Sequence, residues 1–205
     1  MIARTDRAGA AEDAGDAGDA EVIRRSLEEP DAFALLFDRY APEIHRYAVR
    51  RLGDSLADDV VADTFLAAFR RRDRYDLTRP DARPWLYGIA GNLIGRHRRV
   101  EIRSYRALAR TGVDEVAESY ADRVDAQVSA SAVQKDLAGA LAGLSAGDRE
   151  VLLLVAWADL TYGEVAEAVG IPVGTVRSRL NRARRKTRAA LGGADPTATE
   201  EERHG

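Results

Sequence analysis

An all-helical fold is expected: two small helical domains joined by a flexible linker, the second carrying a helix-turn-helix. Three observations lead there. Apolar residues recur at helical spacing over 31–52, 56–72 and 84–103, and again from Val128 to Leu191. Between these blocks, residues 105–127 mix Ala, Gly, Ser and acids with few apolar anchors, as a linker with some helical tendency does. The stretch Thr161–Leu191 then carries start and stop signals for two helices around a tight turn. No strand is expected. The implied organisation is a disordered tail over 1–25, a first domain over 26–104, the linker over 105–127, a second domain over 128–191 and a disordered acidic tail over 192–205.

Taken in order, residues 1–20 are Ala, Gly and Asp with almost nothing large and apolar, so they cannot offset the entropy of ordering. In 31–52, Phe33, Leu36, Phe37, Tyr40, Ile44, Tyr47, Ala48 and Leu52 share a helical face. Pro42 is expected to split or kink that run, and Gly53 to stop it. In 56–72, Val61, Phe65, Ala68 and Phe69 form a buried stripe. Asp59, Asp63, Leu66 and Arg70 lie on the far side. Periodicity alone favours a solvated surface there over a partner surface.

Residues 73–83 form a polar connection carrying Arg74, Tyr75, Arg79 and Arg83. An aromatic among arginines suits single-stranded bases; a Tyr75 tucked into the core fits the residues equally well. In 84–103, Trp85, Leu86, Ile89, Ala90, Leu93 and Val100 share a face, with Gly88, Gly91, Asn92, Gly95, Arg98 and Arg99 opposite. Each helix-interior Gly costs about 1 kcal/mol relative to Ala. Three on one face suggest close approach of another backbone, DNA included, against simple tolerance in a well-packed helix. The Arg-rich end attracts phosphate on either reading.

Val133, Leu137, Leu141 and Leu144 open the second block. Ser145 with Asp148 resembles a capping box before the near-continuous apolar run of SAGDREVLLLVAWADL, which marks a buried helix. Thr161 with Glu164 is a second capping box. Gly170 ends that helix in the left-handed conformation, and Pro172 sits where the next begins. From Val173 to Arg188 the chain holds six Arg and one Lys and no acid. At 100° per residue, Val176, Leu180, Ala183, Thr187 and Leu191 face inward. Arg177, Ser178, Asn181, Arg182, Arg185 and Arg188 face outward. Arg can pair with guanine edges, Asn with adenine, and the remaining Arg with phosphates. A solvated basic face is the competing reading, but the capped helix and turn before it favour DNA.

Charge distribution agrees. The 31 basic and 34 acidic residues leave a net charge of -3. Residues 91–110 nevertheless hold six Arg and one acid, between acidic spacers at 1–21 and 111–136. The chain has no Cys, hence no disulfide framework or thiolate metal site, and His45, His97 and His204 show no ligand spacing. No metal or cofactor is expected. No enzyme signature is found: no phosphate-binding Gly loop, H-E-x-x-H or G-x-S-x-G. Without a membrane-length apolar run or a signal-peptide core, a cytoplasmic protein that does not insert into membranes is expected.

DDVVADTFLAAF, RPWLYGIAGNLIGRHRR and LTYGEVAEAVGIPVGTVRSRLNRARRKTR, in that order, resemble a bacterial sigma factor of the extracytoplasmic-function type, over about residues 30–105 and 128–191. The resemblance implies that Asp59, Asp63, Leu66 and Arg70 bind core RNA polymerase. It implies that Arg74, Tyr75, Arg79, Arg83, Asn92, Arg96, Arg98 and Arg99 contact the minus-ten promoter element. It implies that Thr175, Arg177, Ser178, Asn181, Arg182, Arg185 and Arg188 contact the minus-thirty-five element. Promoter DNA, core polymerase and an anti-sigma factor are the implied partners. Family members often carry Asp three or four residues after the Asn matching Asn92; this chain has Gly95 and Arg96, so base preference at the minus-ten element is not carried over. A stand-alone helix-turn-helix repressor or activator is the alternative function, and a non-DNA adaptor with basic faces for RNA or acidic protein is a third. An acidic tail at Glu200–Glu202 folding back on the basic helix is a further expectation, as an alternative to masking by an anti-sigma factor.

Overall fold

The computed structural model describes residues 17–111 and 124–192, with side chains over the same range outside 111–132. Among these residues there are nine α-helices and no strand: α1 (Asp19–Ser26), α2 (Ala34–Leu52), α3 (Asp54–Arg71), α4 (Arg83–Arg96), α5 (Arg98–Thr111), α6 (Val124–Gly143), α7 (Ala146–Trp157), α8 (Tyr162–Val169) and α9 (Val173–Ala190).

The first unit is built on the α2–α3 hairpin. Its turn is Gly53, at φ 83°, a conformation that only Gly takes without strain. Leu36, Ile44, Tyr47 and Ala48 of α2 meet Ala57, Val60, Phe65 and Ala68 of α3, and α4 adds Leu86, Ala90 and Ile94. The expected break at Pro42 does not occur: α2 runs through it. Proline deprives the Asp38 carbonyl of its helical donor. Asp38 and Pro42 both lie on the exposed side, while the buried stripe continues on both sides of the ring.

The expected disordered tail over 1–25 is corrected at its C-terminal end by α1. Val22 and Ile23 are buried and anchor it. The buried Asp19 carboxylate accepts hydrogen bonds from Arg39 Nη1 at 2.8 Å, the Tyr40 hydroxyl at 2.6 Å and the Ala82 amide at 2.8 Å. One short segment thereby ties α2 to the start of α4. Residues 1–16 lie outside the described residues.

The stretch expected as a linker, 105–127, is helical at both ends. α5 continues through it to Thr111, with Tyr105 buried, and α6 begins at Val124. Residues 112–123 lie outside the described residues, as do residues 193–205 and with them the acidic tail.

The second unit comprises α6–α9. Ser145 caps α7, its hydroxyl accepting from the Asp148 amide at 3.2 Å. Val151, Leu152, Leu153 and Leu154 are all buried, as the continuous apolar run predicts. α8 has its capping box: the Thr161 hydroxyl accepts from the Glu164 amide at 3.3 Å, and Glu164 Oε2 accepts from the Thr161 amide at 2.6 Å. Gly170 at φ 67° closes α8, and its neighbour Ile171 donates to the Ala166 carbonyl at 3.0 Å. Pro172 is the residue just before α9. The two units pack directly on each other, α4 against α8, and α2 and α5 against α7.

Candidate nucleic-acid interface

Helix α9 divides as its sequence predicts. Val176, Leu180, Ala183 and Thr187 are buried, and Leu191 is half-buried. Arg177, Ser178, Asn181, Arg182, Arg185 and Arg188 are exposed on the other side, with Thr175 half-buried at the first turn. The Ser178 hydroxyl donates to the Thr175 carbonyl at 3.0 Å, which leaves its lone pairs outward. Arg182 is held differently. Its Nη2 and Nε donate to the two oxygens of Asp148 at 2.8 and 3.4 Å, and that hydrogen bond raises the guanidinium pKa. Arg179 lies over the first turn of α7, where a Cβ on Gly147 would come within 2.7 Å of its Nη1.

On α4 and its flanks, Arg74, Asn92, Arg96, Arg98 and Arg99 are exposed. Arg79 forms ion pairs with Asp76 at 3.2 Å and with Glu167 of α8. Arg83 is largely covered, paired with Glu43 at 2.9 Å and set over the Tyr87 ring at 5.6 Å. Tyr75 is a correction: it is 8% exposed. Its ring packs on Trp85 at 5.0 Å between centroids, and its hydroxyl donates to the carbonyls of Arg79 and Asp81 at 2.9 and 3.0 Å. Burial, reinforced by Glu167, Asp19 and Asp81, pushes the hydroxyl pKa up. Tyr75 shapes the loop from inside and is not placed to stack on a base.

The glycine face of α4 does meet another backbone, and that backbone is α8. A Cβ on Gly88 would lie 2.4 Å from the Ala168 carbonyl oxygen. One on Gly91 would meet Glu150 Oε1 at 2.5 Å, while Gly95 opens to free space. Arg71, Arg74, Arg79 and Trp85 line a cleft of about 340 Å³ together with Asn92, Glu167 and Ala168. The cleft is basic at Arg71, Arg74 and Arg79, from the end of α3 and the connection to α4, and acidic at Glu167.

Helix α3 presents Asp59, Asp63, Leu66 and Arg70 together on its exposed side, with Leu66 46% exposed. Val61, Phe65 and Ala68 are buried opposite, and Phe69 half-buried. Phe37 of α2 stands beside this surface, edge-on to Phe65 at 4.9 Å, and is itself exposed rather than core as its spacing suggests.

Sequence reasoning missed a buried ionic cluster between the units. Arg51 of α2 is paired with Glu101 of α5 and Glu150 of α7, both at 2.7 Å. Arg149 of α7 reaches Glu101 at 3.1 Å and donates to the carbonyls of Leu141 and Leu144. Arg51, Glu101 and Arg149 are almost wholly buried. A signal was present: Glu101 is the single acid within 91–110, among six Arg.

Among the described residues, no group of three or more His, Cys, Asp or Glu is arranged to hold a metal ion. No described helix is long and apolar enough to cross a membrane. The chain matches two family descriptions, Sigma-70 region 2 over residues 36–104 and Sigma-70, region 4 over residues 134–187. It is similar to the ECF RNA polymerase sigma factor SigL of Mycobacterium tuberculosis, 32% identical over 173 residues that cover 84% of this chain and 96% of the relative. It is similar to the ECF RNA polymerase sigma factor SigW of Bacillus subtilis, 32% identical, covering 80% and 90%. Among solved structures, CnrH in complex with the cytosolic domain of CnrY aligns with TM-score 0.59 and 28% identity over 86% of this chain and 99% of that one. The sigma factor RpoE in complex with the anti-sigma factor NepR from Bartonella quintana aligns with TM-score 0.53 and 25% identity, over 78% and 96%.

Proposed function

The chain belongs to the extracytoplasmic-function sigma factors, and from that premise we propose how its surfaces divide the work of starting transcription. It is a transcription initiation sigma factor whose partners are core RNA polymerase and promoter DNA. It acts by binding rather than by catalysis of its own, and it works in the cytoplasm. The carrying observation is the division of α9: a buried stripe holds the helix in its motif while Arg177, Ser178, Asn181 and Arg182 stand outward near its N-terminal half.

The N-terminal half of such a helix enters deepest into the major groove. Arg177, Ser178, Asn181 and Arg182 therefore read bases of the minus-thirty-five element, with Thr175, Arg185 and Arg188 toward the backbone. Arg74, Asn92, Arg96, Arg98 and Arg99 serve the minus-ten element. Arg79 joins them once released from Glu167, and Arg83 contributes mainly by fixing α4. Asp59, Asp63, Leu66 and Arg70 dock on core polymerase: an exposed Leu framed by both signs of charge suits a partner with an apolar socket and a polar rim. Because α8 lies over Gly88 and pairs with Arg79, promoter opening by the α4 face requires the two units to part. Relatives solved with anti-sigma partners support such a partner here, as a protein that holds the closed arrangement.

The test is capture of core polymerase by the full chain, followed by transcription from a promoter that the holoenzyme selects. Arg177→Ala should cost about 1–3 kcal/mol at one base position and relax specificity there. Arg188→Ala should weaken all sequences alike. DNA binding and regulation without core polymerase would instead establish the stand-alone regulator.

A further inference from the structure

Asp148 is an acid at the edge of a DNA-facing surface. Helix α9 carries no acid from Val173 to Arg188, yet α7 sets a carboxylate against it from the neighbouring first turn. The Asp148 side chain is only 6% exposed and that of Arg182 is 47% exposed. The carboxylate therefore shows little of its charge to a phosphate backbone, while the guanidinium reaches solvent. Burial opposes ionisation of Asp148, but hydrogen bonds from Arg182 and Ser145 outweigh it and hold the carboxyl below its usual value.

The contact is side-on, through Nε and Nη2. A guanidinium has five N–H donors in one plane. Two are used by Asp148, and the end-on pair from Nη1 and Nη2 is left. That pair is the fork that meets O6 and N7 of guanine. Among the described residues, neither Arg177 nor Arg185 on the same face has an ion-pair partner. Ser145 caps α7 by accepting from the Asp148 amide, a backbone contact that supports the helix start and is separate from the carboxylate that meets Arg182.

We propose that Asp148 is a positioning residue for promoter recognition, which holds Arg182 in the orientation that reads a guanine of the minus-thirty-five element. This rests on the reading of Arg182 as a base contact. An arginine already fixed loses less rotamer freedom on binding, and fixing its plane penalises bases that lack the paired acceptors.

The test uses the full chain assembled with core polymerase. The probes are a duplex selected from a random library by the wild-type holoenzyme and all single-base variants of its upstream element. Arg182→Ala should lose discrimination at one base pair. Asp148→Ala and Asp148→Asn should lose discrimination at that same base pair, by about two- to tenfold, the equivalent of ordering one long side chain. The double variant should lose no more than Arg182→Ala alone. Ser145→Ala loosens the α7 start without removing the carboxylate and should keep most of the position profile.

A flat profile for Arg182→Ala sinks the base-reading assignment itself. A position-specific profile for Arg182→Ala beside a uniform shift for Asp148→Ala overturns the positioning role alone. So does tighter binding to every sequence in the Asp148 variants, which would make Asp148 a competitor of DNA. A Ser145→Ala profile equal to that of Asp148→Ala would reduce the effect to a loosened helix, and also overturns it.

Discussion

Gly88→Ala should open the molecule while strengthening the helix that carries the change. The added Cβ would sit 2.4 Å from the Ala168 carbonyl oxygen, 3.2 Å from its carbonyl carbon and 3.3 Å from its Cα. Ordinary carbon contacts lie at about 3.5–4.0 Å, so α4 and α8 must separate by about 1 Å at this point. The obstacle is helical backbone, which cannot rotate aside as a side chain tip can. A gap of that size forfeits about a quarter to a half of each contact's attraction along the seam. It also stretches the Arg79–Glu167 ion pair. Within α4, replacing a helix-interior Gly by Ala contributes about 1 kcal/mol in favour of the helix. The two effects separate in experiment. The chain has no native Cys, so dye pairs placed at Asp73→Cys and Ala189→Cys report the distance between the units cleanly. Energy transfer should fall in the Gly88→Ala background, thermal stability of a fragment such as 17–111 should hold or rise if it folds alone, and binding of the single-stranded minus-ten element should increase. Unchanged energy transfer would refute the view that Gly88 is the close-approach point. Lower transfer without a gain in DNA binding would refute the view that α8 covers the reading face.

Glu101→Ala leaves the buried guanidiniums of Arg51 and Arg149 with fewer carboxylates, and breaking such a network costs about 3–5 kcal/mol; urea unfolding of the full chain should show it, and a change under about 1 kcal/mol would mean the cluster is hydrated or dispensable. Reversing Asp59 and Asp63 to Lys should weaken capture of core polymerase while leaving the helical fold intact by circular dichroism, since both lie opposite the buried stripe; undiminished capture removes that surface from the docking site. The depressed pKa of Asp148 makes its pair with Arg182 acid-sensitive: the contribution is present above the unfolded value near 3.9 and is lost as pH falls through the lower folded value. Thermal midpoints of the wild-type chain and Asp148→Asn should therefore converge below about pH 4, and a constant gap down to pH 2 would contradict the pairing.

Helix existence and the helix-turn-helix were legible because they rest on local chemistry. A 3.6-residue apolar period, Thr161 with Glu164, Gly170 and Pro172 act within a few residues of each other, and the same is true of the buried and exposed faces of α3 and α9. Local signals also explain the errors. The composition of 1–25 is poor in anchors on average, but Val22 and Ile23 are buried, and Asp19 finds partners on α2 and before α4, 20 to 63 positions away, which no window detects. Tyr75 fits a base-stacking loop or a core equally well by spacing, and only the position of Trp85 and two carbonyls placed it inside. The glycines of α4 announced a close approach without saying of what. Tertiary structure supplied α8, and with it the packing of the two units. It likewise turned Arg182 from one of several similar arginines into the partner of Asp148. Pairings of this kind join charges distant in the chain, and Coulomb and hydrogen-bond energies depend on separation in space, which a one-dimensional pattern does not carry.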